Sequence, residues 1–202
     1  MKKIILCDIN QPLVDEWRAQ FNGIMGVEVH HSSIFDHSAD AIVSPANSFG
    51  FMDGGIDYLL SMKLGWHVQT ELQFQINKLP ERELLVGRSI TVATGHSGWP
   101  YLISAPTMRV PMILGASSVN VYLAMIAIMA ELKHNERINS VAIPGLGTGV
   151  GRVPPKVCAH QMRSAYDMIF TSLADISPIT SWHDAQARHQ QLCLSSPRDL
   201  QK

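Results

Sequence analysis

The chain has 202 residues, three cysteines and a formal net charge of −1 at pH 7, with 16% charged and 46% hydrophobic residues. This near-neutral balance gives no electrostatic reason to expect a nucleic-acid backbone as the main partner. No uncharged apolar stretch reaches membrane-spanning length, and residues 1–8 are typical of a strand rather than a secretion signal. The cysteines lack C-x-x-C spacing, so we expect a cytoplasmic chain with reduced thiols and no zinc cluster.

The apolar pattern predicts strands and helices that alternate along the chain. Strands are expected where apolar residues run together, over residues 3–9, 27–31, 41–43, 89–93, 101–104 and 140–143. Helices are expected where apolar residues recur at helical spacing, over residues 12–21, 56–63, 72–79, 119–133 and 155–173. The second helix has an apolar stripe of Ile56, Leu59, Leu60 and Leu64, and Met125 and Met129 of the fourth are interpreted as core. This alternation predicts an α/β sandwich with helices on both faces of the sheet.

The domain organisation is predicted to be one α/β domain over residues 1–175 and a tail over residues 176–202. The tail is richer in Ser, Gln, His and Arg than the rest of the chain. Five of its residues make a weak helical stripe: Trp182, Ala185, His189, Leu192 and Cys193. A disordered tail and a docked terminal helix both remain open.

Two glycine-rich loops each follow an apolar strand and are the main functional signal. The first covers residues 44–57 and the second residues 144–154. Glycine lets the backbone approach a ligand and turn several amide N–H groups toward phosphate oxygens. Neither loop has the G-x-G-x-x-G pattern or the Gly-Lys-[Ser/Thr] ending of a P-loop. Because ligands bind beyond the carboxyl ends of strands in such sheets, the loops predict the two walls of a nucleotide-diphosphate pocket.

Both loops resemble the signature of macrodomains, the ADP-ribose-binding modules. Residues 44–47 (Ser-Pro-Ala-Asn) and 53–57 (Asp-Gly-Gly-Ile-Asp) are similar to the family's Asn-Ala-Ala-Asn and Gly-Gly-Gly-Val-Asp segments. Residues 147–150 (Gly-Thr-Gly-Val) are similar to its phosphate loop. The resemblance covers about residues 1–172 and is closer to a divergent, macro-like subgroup than to the best-studied hydrolases. It implies a three-layer α/β/α sandwich with a central mixed, mostly parallel sheet, and ADP-ribose or an ADP-ribosylated substrate as the partner.

The resemblance also implies which residues bind the ligand. Amides of the second loop cradle the diphosphate, and the N-terminus of the helix near Asp57 adds a favourable dipole. The implied binding residues are Ser33, Ala46, Asn47, Gly54, Gly55, Ile56, Gly145, Gly147, Thr148, Gly149, Val150, Gly151 and Arg152. No metal or cofactor is implied.

Asn47 and Asp57 are the catalytic candidates that follow from the resemblance. A carboxamide at Asn47 both donates and accepts, which suits ribose hydroxyls, whereas the alternative is an Asn that stabilises a turn. Asp57 matches the aspartate that, in hydrolytic macrodomains, lies near the distal ribose and is proposed to activate a water. The alternative for Asp57 is a residue that complements the dipole at a helix start.

Several positions depart from the family pattern or lie outside it. Ser33 stands where better-known macrodomains carry an adenine-binding aspartate, and Asp8 at the end of the first strand is a candidate substitute. Gly151 and Arg152 stand where an aromatic residue often follows the phosphate loop, and we expect Arg152 either to contact phosphate or to be a solvated loop residue. His96 follows a predicted strand and is more typical of a structural or solvated histidine than of a pocket residue.

The functional expectation is binding of ADP-ribose or a derivative, with hydrolysis of ADP-ribosyl linkages. The first alternative is a reader of such ligands without catalysis, which the departures at Ser33 and Gly151 favour. A second alternative is an interaction protein that keeps the fold without the ligand.

Overall fold

A computed structural model describes residues 2–171 and 177–194 of the chain. Its strands form one sheet in the order β2-β1-β6-β3-β5-β4. The strands are β1 (Lys3–Asp8), β2 (Val27–His31), β3 (Ala41–Ser44), β4 (Ile90–His96), β5 (Trp99–Ser104) and β6 (Ser140–Ile143). Every neighbouring pair is parallel except β4 with β5, which is antiparallel. The mixed, mostly parallel sheet is therefore confirmed.

Helices connect these strands and cover both faces of the sheet. They are α1 (Gln11–Phe21), α2 (Gly55–Leu64), α3 (His67–Asn77), α4 (Asn120–His134), α5 (Pro155–Phe170) and α6 (Trp182–Cys193). A 3₁₀ turn lies at Ile34–Asp36. Proline stands in the first turns of α1 and α5, where its missing N–H costs no intrahelical hydrogen bond. Gly65 ends α2 at φ 99°, a backbone conformation that suits glycine.

Two apolar cores lie on opposite faces of the sheet. In β1 the side chains alternate, so that Ile4 and Leu6 join one core while Ile5 and Cys7 join the other. The first core packs against α1, α4 and α5 and includes the fully buried Trp17. The second packs against α2 and α3. This arrangement confirms the three-layer α/β/α sandwich, and full burial of Met125 and Met129 confirms their interpretation as core.

The buried face of α2 differs from the predicted apolar stripe. Leu60 and Leu64 are buried as expected, but 51% of Leu59 is exposed. The helix is rotated so that Asp57 and Ser61 complete its buried face. The prediction for Leu59 was therefore wrong. A stripe defined by hydrophobicity alone leaves out Asp57 and Ser61, which are buried because their side chains have hydrogen-bond partners inside the protein.

The remaining differences concern the ends of elements. α3 begins at His67, five residues before the predicted start, and β4 continues as far as His96. α6 packs on α5, where Nε2 of Gln161 donates to the Leu192 carbonyl over 3.3 Å. The division into a domain of residues 1–175 and a tail of residues 176–202 stays a prediction. The boundary itself, the last two residues of the helix predicted over 155–173, and residues 195–202 of the tail lie outside the described residues. Among the residues that the structure describes, no helix has both the length and the hydrophobicity needed to cross a membrane.

Candidate functional site

The topology of the sheet brings the two glycine loops together. β3 and β6 are parallel neighbours, and β1 lies on the other side of β6, so their carboxyl ends share one edge. A cleft of about 500 Å³, hereafter the cleft, opens at this edge. Its lining comes from both loops, from the end of β1 and from the segment after β5: Asp8, Asn10, Pro45, Ala46, Asn47, Phe51, Asp53, Gly54, Gly55, Ile56, Asp57, Thr107, Met108, Pro111, Pro144, Gly145, Gly147, Thr148, Gly149, Val150 and Gly151.

The second loop is held in shape by its own backbone. Gly147 has φ 67°, a conformation that other residues rarely adopt, and its carbonyl accepts the Val153 N–H over 3.0 Å. The carbonyl of Gly151 accepts the N–H of Leu114 over 2.9 Å, which ties the loop to the segment after β5. The loop is therefore fixed in its shape by protein contacts alone.

Asp8 joins the second loop to the first βα turn. One carboxylate oxygen of Asp8 accepts the N–H of Gly145 over 3.0 Å, and the other accepts the N–H of Asn10 over 2.8 Å. A Cβ on Gly145 would lie 2.6 Å from Oγ1 of Thr148 and 2.7 Å from that same carboxylate oxygen, so a larger residue would displace these side chains. Asp8 thus reaches the cleft, as a residue that anchors the loop.

The cleft offers hydrogen-bond donors to an anion but no cationic side chain. Within residues 2–171 and 177–194, no backbone or side-chain acceptor takes the amide N–H groups of Thr148, Gly149 and Val150. The N-terminus of α2 has no side-chain cap. No lysine, arginine or histidine is among the described residues that line the cleft. An anion here would be bound by backbone dipoles.

Asp57 is a carboxylic acid buried at the wall of this cleft. It lies in the first turn of α2 and is 9% exposed. Burial raises the pKa of Asp57 to about 7, the hydroxyl of Ser44 opposes this rise, and the charge of Asp53 adds to it. Ser44 donates to Oδ1 of Asp57 over 2.5 Å. Near neutral pH, Asp57 therefore exchanges a proton readily, as a general acid or base must.

The side chain of Asn47 is used within its own turn. Its Nδ2 donates to the carbonyl of Phe51 over 2.8 Å, and its Oδ1 accepts the N–H groups of Phe49 and Phe51 over 3.1 and 3.3 Å. Asn47 also lines the cleft. The geometry thus agrees with the turn-stabilising alternative, and a contact to a ligand would have to be made beside these bonds or in place of them.

Three residues considered from the sequence do not line the cleft. Ser33 caps the 3₁₀ turn, where its hydroxyl accepts the N–H of Phe35 over 3.3 Å. Arg152 has φ 53° and is exposed. His96 stacks on Trp99 with ring centroids 4.9 Å apart. The remaining predicted binding residues all lie along the cleft.

Sequence reasoning missed the wall that follows β5. Thr107, Met108 and Pro111 line the cleft, and Met108 forms an isolated parallel β-bridge with Asn47. The hydroxyl of Thr107 donates to the Pro45 carbonyl over 3.1 Å, which fixes this wall to the first loop. Their position directly after a strand beside β3 was the available signal.

Two glycines of the second loop give a test of its geometry. In Gly151→Ala the new Cβ would lie 2.5 Å from the Gly147 carbonyl oxygen, so we expect a loss of about 1–3 kcal/mol in the free energy of unfolding. In Gly149→Ala the Cβ meets nothing within 4 Å, and the change stays within about 0.5 kcal/mol. Urea denaturation of both variants checks this, and equal stabilities would contradict the loop geometry.

Comparison with known proteins agrees with this architecture. The family model for the Macro domain matches residues 43–162. An uncharacterized protein of Aquifex aeolicus is 37% identical over 138 residues, which are 68% of this chain and 79% of that protein.

Solved structures share the fold at low sequence identity. The macrodomain of Mycobacterium tuberculosis DarG superposes with a TM-score of 0.56 at 21% identity, covering 68% of this chain and 87% of that one. Thermosipho africanus DarTG in complex with ADP-ribose gives 0.56 at 17% identity, covering 80% of this chain and 44% of that one. The family model spans more than half of the chain and includes both glycine loops, and the chain therefore belongs to the Macro domain family.

Proposed function

We propose that the chain binds ADP-ribose or a derivative in the cleft and hydrolyses ADP-ribosyl linkages with Asp57 as the base. The observation that carries the proposal is a buried carboxylic acid with a pKa near 7 at the N-terminus of a helix, across a cleft from a loop of free amides. Thermosipho africanus DarTG, which has the same fold, is solved with ADP-ribose bound.

The binding half of the proposal rests on the donors of the cleft. The amides of Thr148, Gly149 and Val150 are free to bind the diphosphate, and the uncapped start of α2 adds its dipole. Gly149 has neither a positive φ nor a neighbour within 4 Å of an added Cβ. Neither its backbone conformation nor its packing therefore requires glycine, which is consistent with space kept for a ligand.

In the catalytic half of the proposal, Asp57 takes one proton from water and passes it to the leaving group. Water attacks the anomeric carbon of the distal ribose and gives a proton to the ionised carboxylate. The bond from that carbon to the conjugated group breaks, the electron pair leaves with the group, and Asp57 returns the proton to it. Asn47 holds the first loop, and so the wall beside Asp57, through its hydrogen bonds to Phe49 and Phe51.

Calorimetric titration is the first test of binding. We expect ADP-ribose to bind with a dissociation constant in the micromolar range or below, and AMP, ADP and NAD to bind more weakly in the same buffer. At 100 times its dissociation constant the ligand should stabilise the fold by about 2.7 kcal/mol, which a thermal shift detects independently. No response to any of the four nucleotides would refute the proposed ligand.

A reader without catalysis is the second candidate. The hydrogen bonds of Asn47 within its own turn favour it, since Nδ2 and Oδ1 already have partners there and are less available to orient a ribose beside Asp57. Tight binding with no release of ADP-ribose from any conjugate at pH 6–9 would support a reader.

A cytoplasmic location remains part of the proposal, in agreement with three free cysteines.

A further inference from the structure

The carboxyl group of Asp57 has a polar neighbourhood inside the sheet as well as in the cleft. Ser44, the last residue of β3, is fully buried and donates to Oδ1 of Asp57 over 2.5 Å. This hydroxyl is the only hydrogen-bond partner of the Asp57 side chain in the part of the chain that the structure describes. The bond reaches Asp57 from the sheet, so it leaves the face toward the cleft open.

A second buried serine lies beside Ser44. Ser104 ends β5 and is paired in register with Ser44 on the neighbouring parallel strand. Two residues earlier, Ile42 and Leu102 point into the core under α2, and the two-residue period of a strand turns both serines to that same face. Ser104 is fully buried, and within the described residues its hydroxyl is an unpartnered buried polar side-chain atom. Such an atom is rare and needs an explanation.

We propose that Ser44 and Ser104 are positioning residues for Asp57, a pair of hydroxyls that donates to the ionised carboxylate and accepts from the protonated one. A serine hydroxyl is both a donor and an acceptor. With Asp57 ionised, Ser44 donates to Asp57, as in the structure, and the Ser104 hydroxyl has no partner. With Asp57 protonated, Asp57 donates to Ser44, and Ser44 donates to Ser104. The orphan hydroxyl thus supplies the acceptor that Ser44 needs when Asp57 holds a proton.

The other charged residues around Asp57 do not stabilise its ionised form. Asp53 in the first loop and Asp8 at the end of β1 are the other charged residues among the described lining of the cleft, and both are carboxylates. Asp8 is already held by the amides of Asn10 and Gly145. From the sheet side the approach is made by Ser44 with Ser104 behind it. Within the described residues, the hydrogen bond that stabilises the charged form of Asp57 from the sheet side thus comes from Ser44.

Single alanine variants test the pair, with Ser61→Ala as the matched control. Ser61 is also buried, lies on α2 with Asp57 and donates to the Met52 carbonyl over 2.8 Å. We expect Ser44→Ala to raise the titration midpoint of Asp57 by about one pH unit or more, since a hydrogen bond to a charged group contributes about tenfold or more in equilibrium. Ser104→Ala lowers it by a smaller amount, because the acceptor of the protonated state is lost, and Ser61→Ala leaves it unchanged.

Two readouts keep this inference separate from the proposed hydrolase, on which its catalytic meaning rests. The first is NMR titration of the Asp57 carboxyl carbon, assigned by its loss in Asp57→Asn, and it needs no turnover. The second is the pH profile of ADP-ribose release, in which Ser44→Ala falls about tenfold at pH 6 and less at pH 9.

The outcomes are distinct. If the titration midpoint of Asp57 does not move in Ser44→Ala, the proposed role of the serine pair is wrong. If the midpoint does not move in Ser104→Ala and that variant is more stable than wild type, the Ser104 hydroxyl has no positioning role. Moved midpoints in a protein that releases no ADP-ribose refute the hydrolase and leave the serine pair standing.

Discussion

Replacing Asp57 by Asn is expected to lower the release of ADP-ribose from a conjugate by about 10²- to 10⁴-fold, the range for loss of a general base. The amide has nearly the shape of the carboxylate and keeps an acceptor for the Ser44 hydroxyl. It takes no proton from water. The loss should therefore appear in kcat and not in the binding of ADP-ribose.

The pH dependence sharpens this prediction. Because the pKa of Asp57 is raised to about 7, the ionised fraction and the wild-type rate should rise together through a midpoint near pH 7. Ionisation also adds a charge to a cleft whose other charged lining residues, among those described, are Asp8 and Asp53, so the affinity for an anionic ligand should fall over the same range. In Asp57→Asn both trends disappear.

Single-turnover kinetics and calorimetry at pH 6, 7 and 8 separate the two effects. Asp53→Asn is the matched control, since it removes an exposed carboxylate from the same loop. It should retain catalysis with a small shift of the profile. If Asp57→Asn turned over at the wild-type rate, Asp57 would not be the base.

The same substitution is expected to stabilise the folded protein at pH 8. The pKa of Asp57 is about 7 in the folded protein against 3.8 for an unperturbed group, so the folded state holds the proton more tightly than the unfolded state. Stability from this group is therefore fully present below about pH 4 and is lost as the pH rises through about 7. At about 1.4 kcal/mol per unit, the full difference is about 4 kcal/mol, of which about 2–3 kcal/mol falls between pH 5 and pH 8.

Urea denaturation of wild type and Asp57→Asn at pH 5 and pH 8 measures this difference. The variant should lack the loss that the wild type shows between these two values, and should be the more stable protein at pH 8. Asp53→Asn should follow the wild type to within about 0.5 kcal/mol. A parallel pH dependence in wild type and Asp57→Asn would show that the carboxyl group of Asp57 is not desolvated in the fold.

Together the two predictions say that Asp57 supports catalysis and lowers the stability of the folded protein near neutral pH. A buried acid that must ionise near neutral pH destabilises the folded state by the amount that makes its proton available. Asp57 is the position in this chain where removing an active group is expected to improve stability, which is the usual relation between an active site and its fold.

The sequence by itself was enough for the fold class and the place of the cleft. Strands such as β1 and β6 and the helix α4 depend on apolar runs and periodicities within a few residues, and these are visible in one dimension. The glycine loops 44–57 and 144–154 were visible for the same reason, and a parallel sheet gathers the loops that follow its strands at one edge. Asp57 was a candidate from its motif alone.

Only the tertiary structure decided what these groups do. The raised pKa of Asp57 comes from burial, which exists only in the folded chain, and its partner Ser44 stands 13 residues before it. Whether Ser33 and Arg152 line the cleft, and that Asp8 anchors Gly145 from 137 residues away, depends on how β1, β6 and their loops are placed in space. Local pattern fixes the elements because their forces are short-ranged along the chain, whereas desolvation and hydrogen bonding act between residues that only folding brings together.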